Sequence, residues 1–107
     1  PEDNFGLNSI WSLDLNNNLL ENVNFLETVT EIRGILNLED NQINNLSGLN
    51  QIKDISSYFV ISNNNAENIN IESLGTVGSF MYIEDMNNLT SLTLPKLNSA
   101  NYLYITN

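Results

Sequence analysis

Apolar residues recur along this chain with a period of about 23 residues, the length of a single solenoid repeat, and within each period their rhythm changes. In residues 36–55, LNLEDNQINNLSGLNQIKDI, they begin at alternate positions, Leu36 and Leu38, as on one face of a strand. After Asn41 they fall at every third position, at Ile43, Leu46, Leu49, Ile52 and Ile55. A strand, a corner and an extended or 3₁₀-like return path would point all of these side chains into one coil. One coil cannot bury its own apolar face, so neighbouring coils should repeat it.

They do. The first strand position recurs as Leu13, Leu36, Phe59, Met81 and Leu103, at spacings of 23, 23, 22 and 22. Leu15, Leu38, Ile61, Ile83 and Ile105 form a second inward column. On the return path Val23, Leu46, Ile69 and Leu92 recur at a constant spacing of 23. Two further columns read as Leu26, Leu49, Leu74, Leu97 and as Val29, Ile52, Val77, Ala100; each contains one spacing of 25, which predicts a two-residue shift in the third coil. The expected fold is mostly β: a leucine-rich, β-helix-like solenoid of about 4.5 coils with a period of about 22–23 residues. Residues 13–107 carry the repeats. Residues 1–12 form a lead-in, where Phe5, Leu7, Ile10 and Trp11 are expected to cover the N-terminal end of the core.

Asn18, Asn41 and Asn64 align at the turn after the strand. A buried Asn there can bond backbone groups that the bend leaves unpaired, and stacked copies can pair with one another. Met86 breaks the column, so the fourth corner should differ in shape.

The segments Leu13–Leu20 and Leu36–Ile43 fit LxLxxNxL, which resembles the leucine-rich-repeat core. Residues 36–55 resemble the repeats of internalin-type bacterial surface proteins. Residues 82–107, YIEDMNNLTSLTLPKLNSANYLYITN, look more like the receptor L domain, the right-handed leucine-rich unit of insulin- and epidermal-growth-factor-type receptors and of fungal cell-wall proteins. The resemblance implies a right-handed solenoid and a recognition or adhesion module at a cell surface. It departs from those families in lacking cysteine-rich caps and in Met86.

The outward-pointing residues narrow this. One outward column is Asp14, Asn37, Val60, Tyr82 and Tyr104; the other is Ser12, Ile35, Tyr58, Phe80 and Tyr102. All four tyrosines of the chain fall in these two columns. Tyr58, Val60, Phe80, Tyr82, Tyr102 and Tyr104 should make an apolar patch, rimmed by polar and acidic residues of the next column, among them Glu39 and Glu84. Aromatic area inside a polar rim is the anatomy of a binding surface for a protein or carbohydrate. The competing expectation is an aromatic ladder that only stabilises strand pairing.

Composition removes other classes. Thirteen acidic residues against three basic ones give a net charge of −10, which argues against a nucleic-acid partner. No run of 18 apolar residues occurs, so no helical membrane span is expected. Sparse charge and abundant Asn point to an extracellular or cell-surface setting. With no His or Cys, the usual imidazole base and thiol nucleophile are missing, and Arg33, Lys53 and Lys96 are not placed together. No enzyme, catalytic residue or cofactor is therefore expected. Glu39–Asp40 and Glu84–Asp85 occupy matching positions two coils apart, about 10 Å at the spacing of adjacent strands, too far to share one Ca²⁺. No metal site is expected. Two glycosylation sequons occur, at Asn45-Leu46-Ser47 and Asn88-Leu89-Thr90. Finally, Leu103 and Ile105 should be poorly covered, which leads to the expectation of a module from a longer surface protein, or of self-association through an open C-terminal end.

Overall fold

The computed structural model describes residues 8–106. The first three coils each contribute two short strands: β1 (Ser9–Ile10) and β2 (Leu13–Asp14), β3 (Glu31–Ile32) and β4 (Leu36–Asn37), β5 (Asp54–Ile55) and β6 (Phe59–Val60). The third return path holds β7 (Asn68–Asn70). Then come β8 (Thr76–Ile83), β9 (Ser91–Thr93) and β10 (Ser99–Ile105). Every pairing is parallel. The main sheet runs β1-β3-β5-β8-β6-β4-β2, with β10 alongside β8; β7 and β9 pair across the core. Two ribbons of short strands thus converge on β8, which is continuous where earlier coils break. The result is a parallel β-solenoid of about four turns with a spacing of about 23 residues.

The inward columns of the main sheet pair as their spacing predicts: Leu13 with Leu36, Leu36 with Phe59, Phe59 with Met81, and Met81 with Leu103. The two-residue shift in the third coil is not present. Ile55 pairs with Val77, and Val77 with Ala100. The Gly75 N–H donates to the Lys53 carbonyl, one residue beyond each of Leu74 and Ile52. The return-path columns are therefore Val29, Ile52, Leu74, Leu97 and Leu26, Leu49, Ile71, Leu94, with spacings of 22 or 23 throughout. When apolar residues fall every third position, slipping by one step matches apolar to apolar again. Hydrophobicity cannot reject that slip, whereas the backbone bonds do. Ile71, absent from the expected core, is 1% exposed.

The corners follow from two adjacent columns. Asn17, Asp40, Asn63 and Asp85 all have φ between 55° and 59°, the left-handed region that Asn and Asp tolerate best among residues with a side chain. The next residue turns inward. The Asn41 Nδ2 donates to the carbonyls of Leu15, Leu38 and Glu39, and its Oδ1 accepts from the N–H groups of Asn18 and Leu20. The Asn64 Nδ2 donates to Leu38, Ile61 and Ser62, and its Oδ1 accepts from Ile43 N–H. Each carboxamide thus ties its own corner to the preceding one, and the stacked asparagines communicate through backbone rather than with each other. At Met86 the thioether takes over one of these tasks, accepting the Asn64 N–H at 3.3 Å. This corner is also one residue longer. Leu89 stacks where Ala66 does, but lies three residues after Met86, whereas Ala66 lies two after Asn64.

The return path changes character halfway. The first two coils use 3₁₀ turns at Asn24–Leu26 and Ser47–Leu49. Each is opened by an Asx turn, in which Asn22 Oδ1 accepts from Asn24 N–H and Asn45 Oδ1 from Ser47 N–H. The third and fourth coils run straight as β7 and β9, where Asn68 Oδ1 instead accepts from the Ser91 hydroxyl. A strand reaches further per residue than a 3₁₀ turn, so one residue is saved. That saving is visible as two residues from Ile69 to Ile71, against three from Leu46 to Leu49.

The core is one column of buried side chains from Val23 to Met86. At its N-terminal end Ile10 packs against it, but Trp11 does not cover it as expected. Only three residues separate Ile10 from Leu13, against four from Ile32 to Leu36. The indole is turned out, 74% exposed, with the Arg33 guanidinium 5.4 Å from its ring centre. Phe5 and Leu7 lie outside the described residues. On the last strand Leu103 and Ile105 are 46% and 45% exposed.

Candidate functional site: an aromatic sheet face with an acidic edge

The parallel register sets the outward side chains of β6, β8 and β10 on one face. Val60 pairs with Tyr82, Tyr82 with Tyr104, and Phe80 with Tyr102. Residues two apart on a strand share a face, so Phe80 and Tyr82 stand side by side on β8. Their rings lie 4.5 Å apart between centres at 29°. Tyr58, just before β6, stacks on Phe80 at 4.7 Å and 7°. Tyr104 meets Tyr82 edge to face, at 5.1 Å and 73°. Four rings therefore make one unbroken run across three coils.

The remaining members of the expected patch divide. Tyr102 is on the face and is the most open of the aromatic residues on it, with 62% of its surface exposed. Val60 is on the same face yet only 5% exposed, between Tyr58 two residues before it and Tyr82 beside it. At that exposure it offers almost no surface for contact. Glu39 and Glu84 lie at the strand ends, both half-buried. Glu84 is held by two neighbours: its N–H donates to the Ser62 hydroxyl, and a carboxylate oxygen accepts from the Thr106 hydroxyl.

The edge beside the rings is acidic. Partial burial, and then the charges of Asp40, Glu84, Asp14 and Asp85, raise the Glu39 carboxyl above its ordinary range. Two of those four, Asp40 and Asp85, sit at the left-handed corner positions. Their identity answers a backbone need first, and the shared negative potential follows from it. Among the described residues, no group of three or more His, Cys, Asp or Glu side chains gathers as metal ligands would. No helix there is long and apolar enough to cross a membrane.

Two features escaped sequence reasoning. The left-handed column was legible, since Asn17, Asp40, Asn63 and Asp85 recur at spacings of 23, 23 and 22 and are all Asn or Asp. A notch on the return path was not, because it arises where a 3₁₀ turn stacks on a strand, and no residue type announces that step.

Comparison with protein families, with curated proteins and with solved structures finds no match for this chain.

Proposed function

We propose that this solenoid is a non-catalytic recognition module of an extracellular or cell-surface protein, binding its ligand through the aromatic face of β6, β8 and β10. The observation that carries the reading is the unbroken run Tyr58, Phe80, Tyr82, Tyr104, in which Tyr104 is 47% exposed, with Tyr102 62% exposed beside it. Tyrosines on a rigid sheet give contact area at low entropic cost, each with a polar end. The resemblance of the repeats to leucine-rich surface proteins agrees with this setting, as does the acidic character of the chain.

A protein ligand fits better than a glycan. A sugar ring stacks on an open aromatic face, but Tyr58, Phe80 and Tyr82 turn their faces to one another. Their edges are left for a protein partner, which would bring basic or amide groups toward Glu39 and Glu84.

The close, nearly parallel Tyr58–Phe80 pair favours a second reading, in which the ladder stiffens a structural spacer or assembly module. Replacing Tyr104 with Ser separates the two. The recognition reading predicts a loss of stability below about 0.5 kcal/mol by urea denaturation, as for an ordinary surface site. It also predicts loss of binding when the wild-type and variant proteins are compared on an array of extracellular protein domains. A loss of about 1.5 kcal/mol, the upper range for an aromatic pair, with no array signal for the wild type would favour the spacer.

A further inference from the structure

A second surface lies on the return path, away from the aromatic face. At the step from the 3₁₀ turn Ser47–Leu49 to the straight strand β7, the third coil has one residue fewer than the second and no counterpart of Gly48. The wall is incomplete there. The gap is a notch of about 460 Å³, within the range of about 300–1,000 Å³ usual for small-ligand sites.

Its lining is chemically uniform. Six asparagines face it, Asn44, Asn45, Asn50, Asn65, Asn68 and Asn70, with Glu67 as the one ionisable group. Each carboxamide carries two donor hydrogens and an acceptor oxygen. Asn45 and Asn68 spend their oxygens on Ser47 N–H and the Ser91 hydroxyl, which leaves their N–H groups pointing elsewhere. Asn50 has its Oδ1 buried with no hydrogen-bond partner among the described residues. That oxygen has essentially no accessible surface, so the groups a ligand can reach in the notch are the other carboxamides.

We infer that this notch is a binding site for a neutral saccharide. A sugar hydroxyl donates and accepts at once, so a run of hydroxyls matches a run of carboxamides. Other ligand classes match less well. An anion meets Glu67 and a chain of net charge −10. A cation finds only one carboxylate. An extended peptide draws its specificity from side-chain pockets, whereas the one apolar residue of the lining, Leu46, is 4% exposed and belongs to the core. This site does not depend on the aromatic face, and either can fail alone.

The test is titration of isotope-labelled protein with cellohexaose, laminarihexaose and mannohexaose, followed through the Asn side-chain NH₂ and backbone resonances. With at least one of these sugars, the signals of Asn44, Asn50 and Asn70 should move and saturate while those of Tyr82 and Tyr104 stay fixed. Asn44→Ala and Asn70→Ala, both at exposed positions, should keep the wild-type spectrum elsewhere and each weaken binding about tenfold. Tyr104→Ser should leave it unchanged. Absence of saturable shifts with all three sugars would overturn the inference. So would equal shifts from a Gly-Ser peptide of similar length, or binding that survives Asn44→Ala combined with Asn70→Ala.

Discussion

The corner asparagines concentrate more structural consequence in a few atoms than any other side chains here. Asn64 is 5% exposed, and its carboxamide serves three carbonyls and one N–H. Replacing it with Ala leaves the Ile61 carbonyl and the Ile43 N–H buried and unpaired, while the Leu38 and Ser62 carbonyls keep only their bonds from Asn41 Nδ2 and Asp40 N–H. We expect Asn64→Ala to cost on the order of 3 kcal/mol in urea denaturation, and Asn18→Ala at the exposed first corner well under half of that. A second prediction concerns Glu39. Its carboxyl is raised in the folded chain by burial and by four neighbouring acids, so the native state holds that proton more tightly than the unfolded state does. Stability contributed by this group should therefore rise as pH falls through the folded value and level off below the unfolded one, with a penalty persisting at neutral pH. Glu39→Gln should raise the neutral-pH melting temperature and flatten the pH dependence just above the ordinary carboxyl range. The inward role of Asn41 and Asn64 was readable from their spacing. The exact partners were not, because they belong to the preceding coil's backbone and depend on how closely the coils approach.

At the scale of the element, the 3₁₀ turns stack through Gly48. A Cβ built there would come within 2.0 Å of the Val23 carbonyl oxygen, a backbone atom that cannot swing aside. Gly48→Ala should force the first two return paths apart and cost about 2 kcal/mol, measured by thermal or chemical denaturation. The strands of the main sheet were legible because alternation admits only two registers, and the wrong one turns every apolar side chain to solvent. The return path was less so. Its three-residue apolar spacing repeats onto itself, and Ile71 and Leu74 could each be assigned to the neighbouring column. Hydrogen bonds such as Gly75 N–H to the Lys53 carbonyl decide between them, and a sequence does not display those. The aromatic columns were visible in full, whereas the burial of Val60 depends on packing in three dimensions, which a column of letters does not encode.

At the scale of the whole molecule, thirteen acidic groups share a small surface with three basic ones. The acids near Glu39 line one edge of successive coils, and the charges that shift it are all negative. Raising NaCl from about 0.01 to 0.15 M shortens the Debye length from about 30 to 8 Å, which should relieve this repulsion and raise the melting temperature. A flat or falling melting temperature over that range would show that the edge is already neutralised. The length changes between coils have a different consequence, for heredity rather than for energy. A codon gained or lost on the return path falls where the chain already passes between a 3₁₀ turn and a strand, and at the fourth corner a longer loop is already absorbed. The same change inside β8, between Phe80 and Met81, would turn Met81 and Ile83 outward and drive Tyr82 into the core. The main sheet absorbs such changes only ahead of the rings, where β10 already has one residue fewer than β8 between Ala100 and Tyr102, so lineages of such coils would diversify by indel on the amide-lined side and by substitution at the rings.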